Sequence, residues 1–446
     1  MSRENKNQVK NAETNATKKA RASRKSKMPL TTREALSSLI GSARKILRKD
    51  KGLNGDADRL PLLTWVMFLK FLDDLEVARE EEAALDGRRY QPIIDAPYRW
   101  RDWAAKEDGI TGDELLAFIG QEVAVLPDGS TGRGLFAYLR GLASDGQKGS
   151  QREVIANVFR GVQNRMVSGY LLRDILNKIN GIHFSSSEEV HTLSHLYESM
   201  LREMRDASGD SGEFYTPRPV VRFMVQVTDP KLGESVLDPA CGTGGFLVEA
   251  FEHMEAQVTS TEQRRTLQKD SLQGQEAKPL PYMLAQMNLL LHGLESPNIA
   301  YGNTLDRRIN EIGHDERVDV ILTNPPFGGE EEVGIKSNFP PNMQTAETAL
   351  LFLQYIMRKL RVKGAPVPGG KKAVNGGRAA VVVPNGTLFG DGVCAVIKEE
   401  LLKEFNLHTI VRLPQGVFSP YTDIPANLLF FDRSGPTKTI WYYELP

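Results

Sequence analysis

The apolar run Ile321-Leu322-Thr323 ends in Asn324-Pro325-Pro326-Phe327, residue types suited to gripping an amino group. Two consecutive prolines fix φ and delete two backbone donors, leaving carbonyl groups free to accept. Asn324 adds a side-chain carbonyl acceptor, and Phe327 a ring able to stack on a planar group. Together they form a socket for a planar substrate bearing an NH2 group. Two acceptors aimed at both amino hydrogens weaken conjugation of the nitrogen lone pair with the ring. An otherwise poor nucleophile can then attack a sulfonium methyl, and no strong general base is required at the start. The competing account is a rigid strand-ending turn, which prolines often mark. A site at this strand's tip would instead face a ligand held beyond the neighbouring strand ends.

A second segment offers that ligand site. Val236-Leu237-Asp238 reads as a strand running through Pro239-Ala240-Cys241-Gly242-Thr243-Gly244-Gly245 into a helix. Gly242, Gly244 and Gly245 let the backbone approach a ligand closely at a helix N-terminus. The segment has no Gly-Lys-Ser/Thr, which argues against a phosphate-gripping loop, and its spacing departs from the dinucleotide fingerprint. An acid at the strand's end suits a zwitterionic ligand, with Asp238 available to an ammonium group. Further on, Glu276 ends the next expected strand and is placed to accept two hydrogen bonds from ribose hydroxyls. A structural turn and a solvated strand-end acid are the plain alternatives. In combination, the two segments point to an adenosine-bearing cofactor.

The elements that must position these groups alternate between strand and helix from about Ser185 onward. A helix over Glu188–Met204 leads into a loop at Ser208–Pro219. Strands are expected at Val236–Asp238, Ser271–Gln275, Ile299–Tyr301, Val318–Thr323 and Ala379–Val383. Helices are expected at Gly245–Met254, Pro281–His292 and Thr348–Leu360. Leu401–Phe405, Thr409–Leu413 and Asn427–Phe431 close the series, and Pro366–Gly377 reads as a Gly/Pro/Lys loop. Such alternation predicts a mostly parallel, Rossmann-like sheet with helices on both faces.

The region before it, Thr31 to about Phe184, is mostly helical. Leu36, Leu39, Ile40, Ala43, Ile46 and Leu47 recur at helical spacing, and Pro61 opens a second segment over Leu62–Val77. A further run covers Arg152–Val167 and continues through Leu171–Ile179. Trp65, Phe68 and Phe71 are read as core rather than as a stacking platform. The expected organisation is therefore a basic arm (1–30), a helical domain (31–184) and an α/β domain (185–446).

Composition narrows the class. The 446 residues are 40% hydrophobic and 25% charged, with mean hydropathy −0.35, which excludes an integral membrane protein and a wholly disordered chain. The front of the chain lacks the apolar core of a secretory signal. Two cysteines, Cys241 and Cys394, are too few for a disulfide framework. These features predict a cytoplasmic protein with no membrane partner. Residues 1–28 carry nine basic groups against two acidic ones, a net of +7, so a total of −1 leaves −8 for the rest. A basic arm suits nucleic-acid phosphates, with a solubilising tail as the plainer account. The acidic body predicts weak nucleic-acid binding by this chain alone. His183, His191 and His195 lie near one another, but no Cys or carboxylate spacing supports a metal site. Cys241 as a nucleophile would need a base that the sequence does not show.

The glycine turn and Asn-Pro-Pro-Phe resemble those of amino-group methyltransferases that use S-adenosyl-L-methionine, enzymes acting on DNA adenine, ribosomal RNA guanine or protein glutamine. Further segments narrow the likeness: Gly212–Arg218 upstream, Val383–Phe389 and Leu413–Phe418 downstream. With the helical front region, the set resembles the modification subunit of type I restriction-modification systems, from about Thr31 to near the C-terminus. That resemblance implies an N6-adenine DNA methyltransferase with a class I methyltransferase domain behind an all-α domain. It implies that Glu213, Phe214, Tyr215, Thr216, Pro217 and Arg218 wrap the methionine end of the cofactor. Thr243, Gly244 and Gly245 would line its backbone-facing side, and Glu276 would take the ribose. Asn303 stands where an Asp often binds the cofactor's adenine. Asn324 and the carbonyl of Pro325, stiffened by Pro326, would grip the amino group of a flipped-out adenine stacked on Phe327. The implied partners are double-stranded DNA, a specificity subunit, a restriction subunit and a second copy of the modification subunit. Family members usually extend further, with helices that dock on the specificity subunit; here only a short tail follows Asp432, so base reading is expected to be delegated. A methyltransferase for RNA or protein glutamine, and a non-catalytic assembly module, are the rival readings.

Overall fold

Ile40, Ala43 and Leu47 fall on one side of helix α1 (Arg33–Leu47) and are buried together. The computed structural model describes residues 33–145, 150–182, 216–327, 331, 333–367, 371–372, 376–419 and 422–445. The front region continues with α2 (Asp56–Leu85), α3 (Trp100–Trp103) and α4 (Gly112–Gly120). A small antiparallel pair, β1 (Val123–Val125) and β2 (Thr131–Arg133), precedes α5 (Leu135–Asp145), α6 (Gln151–Arg160) and α7 (Gly169–Asn180). Two expectations are corrected here. Pro61 does not open α2 but lies inside it. The ring removes one early backbone bond, and the buried run Leu62–Leu72 carries the helix past it. The run after Arg152 stops at Arg160, where Gly161 caps it. Ser150 and Ser168 start α6 and α7 by accepting from the N–H of Glu153 and Leu171. Trp65, Phe68 and Phe71 are core residues, with Trp65 edge-on to Phe136 at 5.1 Å.

The second half is built from α8 (Arg218–Thr228), β3 (Val236–Asp238), α9 (Gly245–Glu255), α10 (Thr261–Asp270), β4 (Leu272–Glu276), α11 (Pro279–Leu291) and β5 (Asn298–Tyr301). It continues with β6 (Val320–Thr323), α12 (Val333–Lys336), α13 (Thr348–Lys359), β7 (Pro366–Val367), β8 (Lys371–Lys372) and β9 (Arg378–Pro384). It ends with α14 (Asn385–Phe389), α15 (Val393–Glu404), β10 (Asn406–Arg412), β11 (Ala426–Asp432) and β12 (Trp441–Glu444). Eight strands form one sheet in the order β12-β10-β11-β9-β6-β3-β4-β5. All run parallel except β11, which is antiparallel to both its neighbours. Val320 and Leu322 point into the apolar cluster on one face of the sheet and Ile321 into the cluster on the other. Burial on both faces is why these strands read as continuous apolar runs. Of Leu401–Phe405, the first four residues end α15 and Phe405 caps it, and Pro366–Gly377 contains the short antiparallel pair β7–β8. The helix expected over Glu188–Met204 lies outside the described residues.

Helix α11 joins the two halves because it is apolar nearly all round. Its Tyr282, Ala285 and Leu289 enter the core of the sheet, while Met283, Leu284, Met287, Leu290 and Leu291 enter the helical core. From β3 the chain moves outward to β4 and β5, then returns to the other side of β3 as β6. That reversal is a topological switch point, and the crevice beyond the strands' C-terminal ends is where such sheets bind ligands.

Candidate active site

The two tips flanking the switch point carry Asp238 and Asn324. After Asp238 the chain turns through Gly242 (φ +52°) and Gly244 (φ +80°) before α9 begins at Gly245. Both angles are left-handed, which favours glycine. At Gly244 a Cβ would also press within 3.4 Å of Ala285 on α11. Asn288, on the same helix, donates its Nδ2 hydrogen to the Thr243 carbonyl at 2.9 Å. The turn is thus braced from below by the helix that also carries the helical domain.

Two buried acids face the turn. Asp238 Oδ1 accepts from Thr323 Oγ1 at 2.7 Å and from the Ala240 N–H at 3.2 Å. Burial pushes its carboxyl up to about 7, against the opposing effect of those hydrogen bonds. Glu276 accepts from the Gly242 N–H at 2.9 Å through Oε2 and from the Lys278 N–H at 2.8 Å through Oε1. Burial raises this carboxyl as well. The Cys241 thiol is buried, and its pKa is pushed far up, so a thiolate nucleophile is disfavoured there.

Asn324 sits directly after β6. Its Nδ2 donates to Thr216 Oγ1 at 3.1 Å, and its Oδ1 is buried with no hydrogen-bond partner among the described residues. A buried acceptor left open is costly unless something fills it. Pro325 is buried, and Pro326 and Phe327 are half-buried. The Phe327 ring stands edge-on to Phe418 with centroids 5.7 Å apart. Phe418 belongs to the Leu413–Phe418 segment, so the downstream motif holds the ring that ends Asn-Pro-Pro-Phe.

Hydrogen bonds and the chain's own turns therefore tie together Thr216, Asn324, Thr323, Asp238, Gly242 and Glu276. Arg218 lies beside the same turn, where its guanidinium donates to the Gly245 carbonyl at 3.5 Å. Pro217 is the N-cap of α8. Asn303 is placed past β5, where its Oδ1 accepts from the Leu305 N–H at 2.9 Å and its Nδ2 donates to Glu331 at 3.3 Å. Glu213, Phe214, Tyr215, His183, His191 and His195 lie outside the described residues. Sequence reasoning missed Thr323 and Asn288. A threonine beside Asn-Pro-Pro-Phe looks like an ordinary strand former, and nothing local reveals its partner on β3.

A family model described as N-6 DNA methylase matches residues 188–446. The chain belongs to the N-6 DNA methylase family. The model of the HsdM N-terminal domain matches residues 36–179, so this methylase also carries the helical domain of type I restriction-modification methylase subunits. It is 49% identical over 414 residues to the type I restriction enzyme EcoEI methylase subunit of Escherichia coli, covering 92% of this chain and 78% of that one. It is 32% identical to the EcoKI methylase subunit of Escherichia coli strain K12, over 61% of this chain and 51% of that one. A crystal structure described as a type I modification subunit, from Vibrio vulnificus YJ016, superposes with a TM-score of 0.87. That structure is 69% identical, and the match covers 94% of this methylase and 85% of that chain. The expected fold, a class I methyltransferase sheet behind a helical domain, is the fold observed, with the β1–β2 pair added to the helices of the front region.

Proposed function

We propose that this methylase transfers a methyl group from S-adenosylmethionine to the N6 amino nitrogen of an adenine extruded from double-stranded DNA. The observation that carries the reading is the buried Oδ1 of Asn324, open among the described residues, at the tip of β6, one strand from the glycine turn. The residues present fit the cofactor. The left-handed glycines allow close approach, the buried Asp238 would meet an incoming ammonium as its carboxylate, and Glu276 at the end of β4 would take the ribose. Glu213 to Tyr215 with Thr216, Pro217 and Arg218 would close over the methionine end, and Asn303 would use its remaining lone pair on the adenine. When bound, S-adenosylmethionine supplies an electrophilic methyl on a sulfonium.

The chain's own residues do the rest. Asn324 Oδ1 and the Pro325 carbonyl accept the two amino hydrogens and free the nitrogen lone pair for attack. Thr216 holds the amide from its other end. Phe327 stacks on the base, which must leave the duplex because its amino group is otherwise occupied in pairing. Bound there, the sulfonium would give its methyl to the amino nitrogen as its S–C bond breaks, and the nitrogen would lose its surplus proton to solvent.

We place the helical domain at 31–184 and the methyltransferase domain at 185–446, behind a basic arm at 1–30. The family supports a cytoplasmic modification subunit acting with a specificity subunit, a second copy of itself and, for cleavage, a restriction subunit. Delegated base reading agrees with the acidic body of the chain. In the complex with its specificity subunit, Asn324→Ala should lose tritium transfer to DNA by about a thousandfold, as removal of one transition-state donor or acceptor does elsewhere. S-adenosylmethionine binding by calorimetry should be nearly unchanged. Equal loss of both, or equal transfer to RNA, would overturn the reading.

A further inference from the structure

Phe389 is 69% exposed, yet the short segment that carries it is fixed from several sides. Lys398 on α15 spends its ammonium on the carbonyls on either side of Phe389, donating to Leu388 O and Gly390 O at 2.8 Å each. Cys394 Sγ donates to Thr387 O at 3.2 Å, and the Gly390 N–H closes back on Gly386 O at 2.8 Å. At its start, the Asn385 N–H donates to Pro425 O at 2.8 Å, and Asn427 Nδ2 holds the Asn385 side chain at 3.1 Å. Such anchoring leaves the ring outward and the backbone unable to fold it in.

Its place in the sheet decides what it faces. β9 runs parallel to β6 with Thr323 level with Val381, so the residues that follow each strand leave the same edge. Phe389 stands one short helix beyond that edge, beside the strand whose tip is Asn324. Ile424, 44% exposed, lies just before β11 at the same edge, because Ala426 pairs with Pro384. The edge that offers an acceptor to an extruded base thus also presents a stiff aromatic ring.

We propose that Phe389 contacts the bases of the duplex, inserting at the stack where the target adenine leaves. This rests on the reading that the target is an extruded adenine. Apolar side chains that enter between base steps offset lost stacking with their own surface, and extrusion opens a gap of that kind. The ring is a substrate contact, and Lys398 and Cys394 are positioning residues behind it.

The test uses the full complex with its specificity subunit and duplexes bearing the recognition site, one matched and one with an abasic position opposite the target adenine. Phe389→Ala should lower methylation of the matched duplex by about tenfold or more and diminish the fluorescence rise of 2-aminopurine at the target position. On the abasic duplex, where stacking is already weakened, it should match the parent, and Phe389→Trp should restore both signals. Unchanged rates on the matched duplex, or equal loss on both duplexes, would overturn the proposal. Loss of co-elution with the specificity subunit would assign the ring to a protein interface and overturn it too. Failure of the parent complex to methylate either duplex would sink the functional reading itself, a result distinguishable from any effect of the substitution.

Discussion

Thr323 donates its hydroxyl hydrogen to Asp238 Oδ1 across 2.7 Å, and both side chains are sealed from solvent. One residue precedes Asn324 and the other ends the strand that opens the glycine turn. The bond therefore fixes the spacing between the cofactor side of the crevice and the amino-group clamp. Thr323→Val keeps the shape and removes the donor. It should destabilise the fold by about 1 kcal/mol, the net worth of one buried hydrogen bond, since the Ala240 N–H still serves that oxygen. It should also lower the turnover of the assembled enzyme more than its affinity for S-adenosylmethionine, with Thr323→Ser restoring both. Thermal melts together with a kcat and KM comparison check this. Parent-like values for the valine variant would show that the bond holds nothing in place.

The buried acid gives the site a pH signature. Burial raises Asp238 from an ordinary 3.8 to about 7, with Glu276 adding a smaller push in the same direction. A folded value above the unfolded one means that the neutral acid favours folding. The contribution is complete below about pH 4 and is lost as pH climbs through about 7. The ligand-free protein should lose melting temperature between about pH 4 and 7 and level off above that, and Asp238→Asn should flatten the decline. An ammonium ligand requires the carboxylate, so binding S-adenosylmethionine near pH 6 should release a proton from this residue. Calorimetry in two buffers of different ionisation enthalpy measures the release. Identical heats in both buffers would exclude Asp238 as the ammonium's partner.

Much of this arrangement is legible in the amino-acid sequence, and the reasons are local. Val236–Asp238 and the apolar run before Asn324 are short, doubly buried strands, so burial writes itself into the sequence as unbroken apolar residues. The turn between them announces itself because left-handed backbone needs glycine at Gly242 and Gly244. The start of α2 is hidden because packing of Leu62–Leu72 outweighs the one bond that Pro61 removes. Helix α10 leaves no clear apolar stripe because Leu267 is its one buried hydrophobic residue among those whose burial is described. Asn303 reads as a spare acceptor, yet its oxygen turns back on the Leu305 N–H, a geometry set by the turn and invisible to composition. Thr323 and Asn288 act through partners far along the chain, and a linear sequence carries no trace of such pairings.

Asn288 makes the last of these dependencies testable, since α11 serves two cores at once. Its Nδ2 supports the Thr243 carbonyl, while Leu284 on the same helix points into the helical core. Asn288→Ala removes the support and should raise the KM for S-adenosylmethionine by about tenfold, the effect of about 1.4 kcal/mol in a binding contact. Turnover at saturation should change little, because the clamp at Asn324 is not touched. Leu284→Ala is the contrasting case. It should cost about 2–5 kcal/mol of stability through the cavity it leaves, with the KM of the remaining folded enzyme unmoved. Steady-state kinetics and denaturant melts on the two variants separate the outcomes. If both variants shift KM alike, α11 transmits general loosening to the turn, and the specific brace assigned to Asn288 is wrong.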